Sequence, residues 1–182
     1  MNINRVSRHL EMLRLLAVFA MLGAIMFISD ILMEFMPNVH IVGVLTVIYT
    51  IVYRWRALIP IYIYVFLNGL FSGFGIWWLG YLYVWFILWG LTMLVPRRFP
   101  KKLRGVIYVV FCTLHGLLFG VLYAPVQMIY NSDLNYIISW VSVGFVTADI
   151  YHGIGNCIFG ILLIVPLSEL LLKLEAKTSL LK

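Results

Sequence analysis

The sequence predicts an all-α integral membrane protein, a six-transmembrane helix bundle with both termini cytoplasmic. Three observations carry this expectation. Of 182 residues, 64% are hydrophobic and only 11% charged, whereas a soluble domain carries about a quarter charged residues. Apolar runs of membrane-spanning length recur from end to end. The thirteen Lys and Arg residues fall in clusters outside those runs.

Composition excludes the other classes. At this size roughly a third of the surface stays wet after folding, and there is too little polar side chain to cover it. Disordered chains are poor in the aliphatic and aromatic residues that dominate here. The net charge of +6 suggests an acidic partner such as nucleic acid. With no soluble face to hold that charge, no nucleic acid is expected, and the bilayer is the partner.

A basic lead-in ending at Arg14 overlaps the first turn of span one, at 10–35. No small-residue cleavage site follows a short apolar core, so a cleaved signal peptide is not expected. Met36-Pro37-Asn38 separates span one from span two at 39–53. Residues 57–96 hold forty positions without one Asp, Glu, Lys or Arg, enough for two spans, 57–72 and 75–95. Ser72-Gly73-Phe74-Gly75 divides them. Span five occupies 105–128; span six occupies 138–172 and runs on as a surface helix. No tandem repeat, low-complexity tract or linker interrupts 1–182, so one domain is expected. Cys112 and Cys157 lie in apolar runs and read as small hydrophobes without a disulfide.

The basic residues test the count. Arg5, Arg8 and Arg14 lie before or at the start of span one, and Arg54 and Arg56 follow span two. Arg97, Arg98, Lys101, Lys102 and Arg104 follow span four; Lys173, Lys177 and Lys182 follow span six. Six spans put all thirteen on one side, the cytoplasmic side by the positive-inside rule. Reading 57–96 or 10–53 as a single crossing would split them between two faces. The outer connections are then the short stretches 36–40, 72–75 and 128–136, the last containing Asp133.

Polar residues inside spans are costly and mark candidate sites. In span six, Asp149, His152, Gly153, Asn156 and Gly160 recur at helical spacing along one stripe. Asp149 lies near mid-depth, and its pairing with His152 one turn away would equally serve as packing. Span five carries His115 at mid-depth, then Gly116, Gly120, Tyr123 and Gln127. Gly116 and Gly120 form G-x-x-x-G, which permits close helix approach. Span one carries Asp30 and Glu34 near the outer end; Glu34 reads as solvated, while Asp30 sits deeper and is placed to face a cavity. Asn38 and His40 occupy the first outer loop, and Asn68 lies at mid-depth on span three.

Aromatic residues crowd the outer end of span four. Interfacial belts of Trp and Tyr are routine, yet Trp77, Tyr81 and Trp85 recur every four residues and make a continuous face. Pointing inward with Trp140 and Tyr130 nearby, that face would stack a planar ligand. No basic residue sits among these groups, which disfavours a strongly anionic ligand. The sequence has no H-E-x-x-H, no G-x-S-x-G elbow and no G-x-x-x-x-G-K-[ST] loop. No catalytic residue, cofactor or metal site is therefore expected.

These residues resemble the substrate-binding S components of energy-coupling factor vitamin transporters, over essentially the full length. Ala20-Met21-Leu22-Gly23-Ala24 matches that family's A-x-x-x-A contact motif, with Ala17 one turn before it. The stretch from His115 through Gly116, Gly120 and Tyr123 to Pro125 is similar to the fifth helix of several members. Asp149, His152 and Asn156 resemble a D-x-x-H-x-x-x-N helix of others. The resemblance implies a bacterial plasma-membrane subunit that binds one micronutrient in an outward-facing pocket. It implies a membrane scaffold (T) subunit and two cytoplasmic ATPases as partners, with Ala17, Ala20 and Ala24 against the scaffold. It implies no enzyme activity in this chain, since ATP hydrolysis belongs to the partners. The nickel and cobalt branch carries histidine at the second position; Asn2 stands here, so a metal substrate is not expected.

On this reading Trp77, Trp78, Tyr81, Gln127, Trp140 and Asp149 contact ligand, with Asn38 and His40 on a closing loop. Asn68, His115, His152 and Asn156 support the pocket or the bundle. Two alternatives stay open: a structural scaffold in which the polar stripe only joins helices, and an intramembrane enzyme using Asp149, His152 and His115.

Overall fold

Apolar helices in lipid gain little from further hydrophobic burial, so close backbone approach and interhelical hydrogen bonds hold them together. Both are visible in the computed structural model, which describes residues 3–36 and 38–178, with side chains for 10–36 and 38–177. Asn2, Pro37, Lys182 and the side chains of Arg5 and Arg8 lie outside the described residues. The described chain is helical, in the order α1 (Ile3–Leu32), α2 (Val42–Tyr53), α3 (Leu58–Ser72), α4 (Ile76–Leu94), α5 (Lys101–Leu117), α6 (Phe119–Tyr130), α7 (Leu134–Gly144) and α8 (Ile150–Thr178). A 3-10 turn, Arg54–Ala57, joins α2 to α3, and a π-helical turn, Phe145–Asp149, joins α7 to α8. Among the described residues four stretches, Leu10–Leu32, Val42–Ser72, Lys101–Tyr130 and Leu134–Lys177, are long and apolar enough to cross a membrane; Trp78–Leu94 is a shorter apolar helix.

Contacts fix the helix directions. Phe19 packs edge-on against Tyr53, and the Tyr49 hydroxyl donates to the Leu22 carbonyl, so α2 runs antiparallel to α1. Tyr64 donates to Asp30 while Gly23 meets Pro60 and Ile63, so α3 runs parallel to α1. The chain therefore reverses at Arg54, whose φ of 55° and ψ of −121° are glycine-like turn values. Such a conformation costs on the order of 1–3 kcal/mol and survives only where the surroundings hold it. Here the Arg54 guanidinium donates to the Met93 carbonyl at 3.1 Å, and Trp89 Nε1 donates to the Arg54 carbonyl at 3.1 Å.

The remaining helices alternate. Trp78 Nε1 donates to Val65 O and the Tyr62 hydroxyl to Leu82 O, which sets α4 antiparallel to α3. His115 Nε2 meets Val84 O at 3.1 Å, and Tyr83 donates to Leu122 O, so α5 and α6 run back along α4. Asn156 Nδ2 donates to the Cys112 carbonyl at 3.0 Å, and Lys101 pairs with Glu169, so α8 runs antiparallel to α5. A Cβ on Gly116 would stand 2.8 Å from the His152 carbonyl carbon and 2.9 Å from Gly153 N. Only glycine allows α5 and α8 this close.

α2 is the central helix, with every residue but Ile51 buried. The outer surface carries large apolar side chains, among them Met21, Leu32, Leu94 and Ile161, as a lipid-facing surface would. One end of the bundle gathers Arg54, Arg97, Lys101, Arg104 and Lys173. The other gathers the turns at 33–36, 38–41, 73–75 and 131–133.

Two spans expected as single helices are interrupted. The span at 105–128 breaks at Leu118 (φ −103°, ψ 9°) into α5 and α6. The span at 138–172 starts earlier, at Leu134, because the Asp133 carboxylate caps the N–H groups of Asn135 and Tyr136. It passes through the π turn and continues as helix to Thr178.

Candidate binding cavity

The break at Leu118 leaves the Gly120 N–H in the first turn of α6, where no carbonyl one turn earlier accepts it. The Asp149 carboxylate takes that place, accepting from Gly120 N at 3.1 Å through Oδ1 and 3.0 Å through Oδ2. A buried anion thus sits at the start of a helix, where the peptide dipoles favour it. Asp149 is itself the last residue of the π turn. The extra residue of a π turn rotates the helix after it by about 100° relative to the helix before it. Trp140 and Asp149, nine residues apart, would face opposite sides of a regular helix at about 100° per residue. With the π turn both line one cavity.

That cavity has a volume of about 420 Å³. Its walls are aromatic: Trp77 and Tyr81 from α4, Phe119 and Tyr123 from α6, and Trp140 from α7. Trp77 and Tyr81 meet edge-on at 5.4 Å, while Phe119 and Tyr123 stack at 5.7 Å. The Tyr123 hydroxyl donates to the Trp77 carbonyl and ties the two walls together. Asp149, His152, Thr147 and Asn38 supply the polar lining, and Asn38 reaches the Thr147 carbonyl at 3.4 Å.

A second cavity of about 330 Å³ shares Asn38, Tyr81, Phe119 and His152 with the first. It adds Asp30, Glu34 and His40. Asp30 Oδ2 accepts from the Tyr64 hydroxyl at 2.8 Å and Asn68 Nδ2 at 3.2 Å, so α3 aims the α1 carboxylate inward. The His40 and His152 rings lie 4.9 Å apart, and Nδ1 of each is buried without a hydrogen bond. Buried polar atoms are normally paired; these two, beside a cavity, are suited to meet a ligand. No Lys or Arg lines either cavity, whereas Asp30, Glu34 and Asp149 do.

The expected ligand residues divide. Asn38, Trp77, Tyr81, Trp140 and Asp149 line the larger cavity and His40 the smaller one. Trp78 turns away, donating to Val65 O and packing edge-on against Phe74. Gln127 is buried outside both cavities and accepts from the Tyr136 hydroxyl at 3.2 Å. Of the expected supports, His152 lines both cavities, Asn68 holds Asp30, and His115 and Asn156 bond backbone carbonyls of neighbouring helices. Trp85, third in the α4 aromatic row, is 1% exposed in the core between His40 and His115.

Sequence reasoning left out Phe119 and the cavity role of Tyr123. Their spacing of four along one helix was a usable signal, of the same kind that singled out Trp77 and Tyr81. Among the described residues no group of three or more His, Cys, Asp or Glu is placed to hold a metal. Cys112 and Cys157 are free thiols. Ala17 and Ala20 are exposed on α1 and Ala24 is half-buried, opposite the face that buries Phe19 and Met26. Compared with protein-family models, curated proteins and solved structures, the chain matches none.

Proposed function

We propose that this chain is the membrane-embedded substrate-binding subunit of an energy-coupling factor importer in a bacterial plasma membrane, taking up a vitamin or related micronutrient. The observation that carries the reading is the aromatic cavity around Asp149, at the end of the bundle opposite the basic cluster. Its volume of about 420 Å³ lies within the range of small-molecule sites. Its ligand is flat, to stack on Trp77, Tyr81 and Trp140, and carries hydrogen-bond donors or positive charge toward Asp149. Three carboxylates and no Lys or Arg across the two cavities disfavour an anion.

In this reading the chain crosses the bilayer six times with both termini in the cytoplasm. The alternating helix directions support the count, and the shared end of the basic residues supports the orientation. α2 has 12 residues, about 18 Å at 1.5 Å each, short for a crossing. Enclosed by other helices, it needs no full hydrocarbon span of its own. The chain is not itself an enzyme; a membrane scaffold subunit and two cytoplasmic ATPases supply the driving reaction. Ala17 and Ala20, small and outward-facing, are the surface on which the scaffold seats.

A purely structural scaffold draws support from His115 and Asn156, which join helices through backbone carbonyls. That account covers the Asp149 contact with Gly120 but leaves the unpaired Nδ1 atoms of His40 and His152 and the aromatic walls without a purpose. The test is a panel of vitamins titrated against the purified, folded protein by tryptophan fluorescence. One vitamin quenching at submicromolar concentration is the expected result; no response across the panel overturns the vitamin assignment. Ala20→Trp is expected to abolish co-purification with the coupling subunits while leaving that binding intact.

A further inference from the structure

At the opposite end of the bundle, α5 and α8 pack against α2 around a separate cleft of about 630 Å³. Four cationic side chains line it: Arg97, Lys101, Arg104 and Lys173. One carboxylate, Glu169, lines it too, and it pairs with Lys101. The lining thus holds four positive groups against one negative. Nε of Arg104 is buried and makes no hydrogen bond, a costly state for a guanidinium nitrogen unless a ligand completes it. The deeper wall is apolar, from Ile51 and Ile164, and it emerges through the exposed Val165 and Leu172 onto the surface that faces lipid.

A rim of guanidinium and ammonium groups above an apolar wall that opens sideways matches one chemistry, a phosphate attached to a hydrocarbon chain. Arginine forks bind phosphate oxygens through paired hydrogen bonds. Basic pockets between helices on the cytoplasmic side are suited to anionic lipid headgroups. A free phosphate would satisfy the rim and leave the wall bare. We infer that this cleft seats the phosphodiester headgroup of an anionic phospholipid from the cytoplasmic leaflet, with its first acyl carbons along Ile164 and Leu172. The inference rests on the membrane orientation proposed above and is independent of the ligand in the aromatic cavity.

The test uses the full-length protein in neutral detergent, titrated with a short-chain phosphatidylglycerol and read by native mass spectrometry. Arg104→Gln with Lys173→Gln is expected to weaken binding about thirtyfold, roughly fivefold for each charge removed. Arg98→Gln with Lys102→Gln, which removes equal charge from the same end outside the cleft, is expected to change it less than about twofold, because solvent-exposed charges that do not touch the headgroup are screened by salt. Arg104→Lys with Lys173→Arg keeps the charge and is expected to keep most of the affinity, which separates charge loss from misfolding. Short-chain phosphatidylcholine is expected to bind much more weakly, and inorganic phosphate to compete poorly. Equal losses in the two neutralised pairs would mean a diffuse basic surface and overturn the assignment. So would phosphatidylcholine binding as tightly as phosphatidylglycerol, or inorganic phosphate displacing the lipid at matching concentration.

Discussion

The Gly120 N–H and the Asp149 carboxylate join the two irregular turns of the molecule in a single contact, at 3.1 and 3.0 Å. One partner belongs to the break between α5 and α6, the other to the π turn between α7 and α8. Each irregularity frees or reorients a group that the other uses. Broken helices of this kind in membrane proteins are tolerated where they line a cavity rather than lipid, and this pair lies beside one.

Asp149→Asn keeps an oxygen to accept from Gly120 but removes the charge facing the cavity. The variant is expected to fold with little change in melting temperature and to lose about ten- to a hundredfold in ligand affinity, the worth of a hydrogen bond to a charged group. Parallel melting curves and ligand titrations check it. A large loss of stability with unchanged affinity would make Asp149 helix glue instead.

Gly120→Ala places a methyl 2.7 Å from Asp149 Oδ2. Displacing the carboxylate leaves the α6 donor unpaired, a cost of about 1–3 kcal/mol. Combining it with Asp149→Ala should recover part of that cost, because the two changes share one contact. A double-mutant cycle in denaturant measures the coupling, and strict additivity would contradict the arrangement.

Inserting one alanine after the exposed Val146 adds a tenth step between Trp140 and Asp149. Trp140 then swings about 100° relative to Asp149 and leaves the cavity wall. Helical circular dichroism should be unchanged while ligand affinity falls more than tenfold. The insertion should be more damaging than Trp140→Phe, which keeps an aromatic ring in place. It should also be more damaging than deletion of Val146, which leaves Trp140 and Asp149 eight residues apart and still about 80° from each other on a regular helix.

Asn156→Ala removes the bond to the Cys112 carbonyl at 3.0 Å. Interhelical hydrogen bonds in membranes contribute about 0.6 kcal/mol on average, up to about 1.7 kcal/mol. The expected outcome is a modest loss of melting temperature with ligand affinity unchanged, opposite to Asp149→Asn. Gly116→Ala should cost more, since its methyl meets the backbone of His152 and Gly153, which has little room to give.

Much of the architecture was legible in the sequence. The long apolar runs made an all-helical chain legible, with several helices long and apolar enough to cross a membrane. Helical spacing isolated Asp149, His152 and Asn156, and the first glycine of the G-x-x-x-G pair, Gly116, marked the close approach of α5 and α8. The row Trp77, Tyr81 and Trp85 was readable as a face, though its depth was not. Two of its members line the cavity and the third is buried among histidines, because α4 descends into the core along its length.

The helices, their apolar faces and the residues too polar to be accidental in them can therefore be read from the order of amino acids. Tertiary structure alone decided which of those residues meet. Trp78 and Gln127 are as aromatic and as polar as their neighbours, yet Val65 and Tyr136 claim them, from α3 and α7. Trp140 and Asp149 share a wall only because one extra residue is wound into the helix between them. Spacing rules assume a constant turn per residue, and the candidate site lies where two helices depart from it.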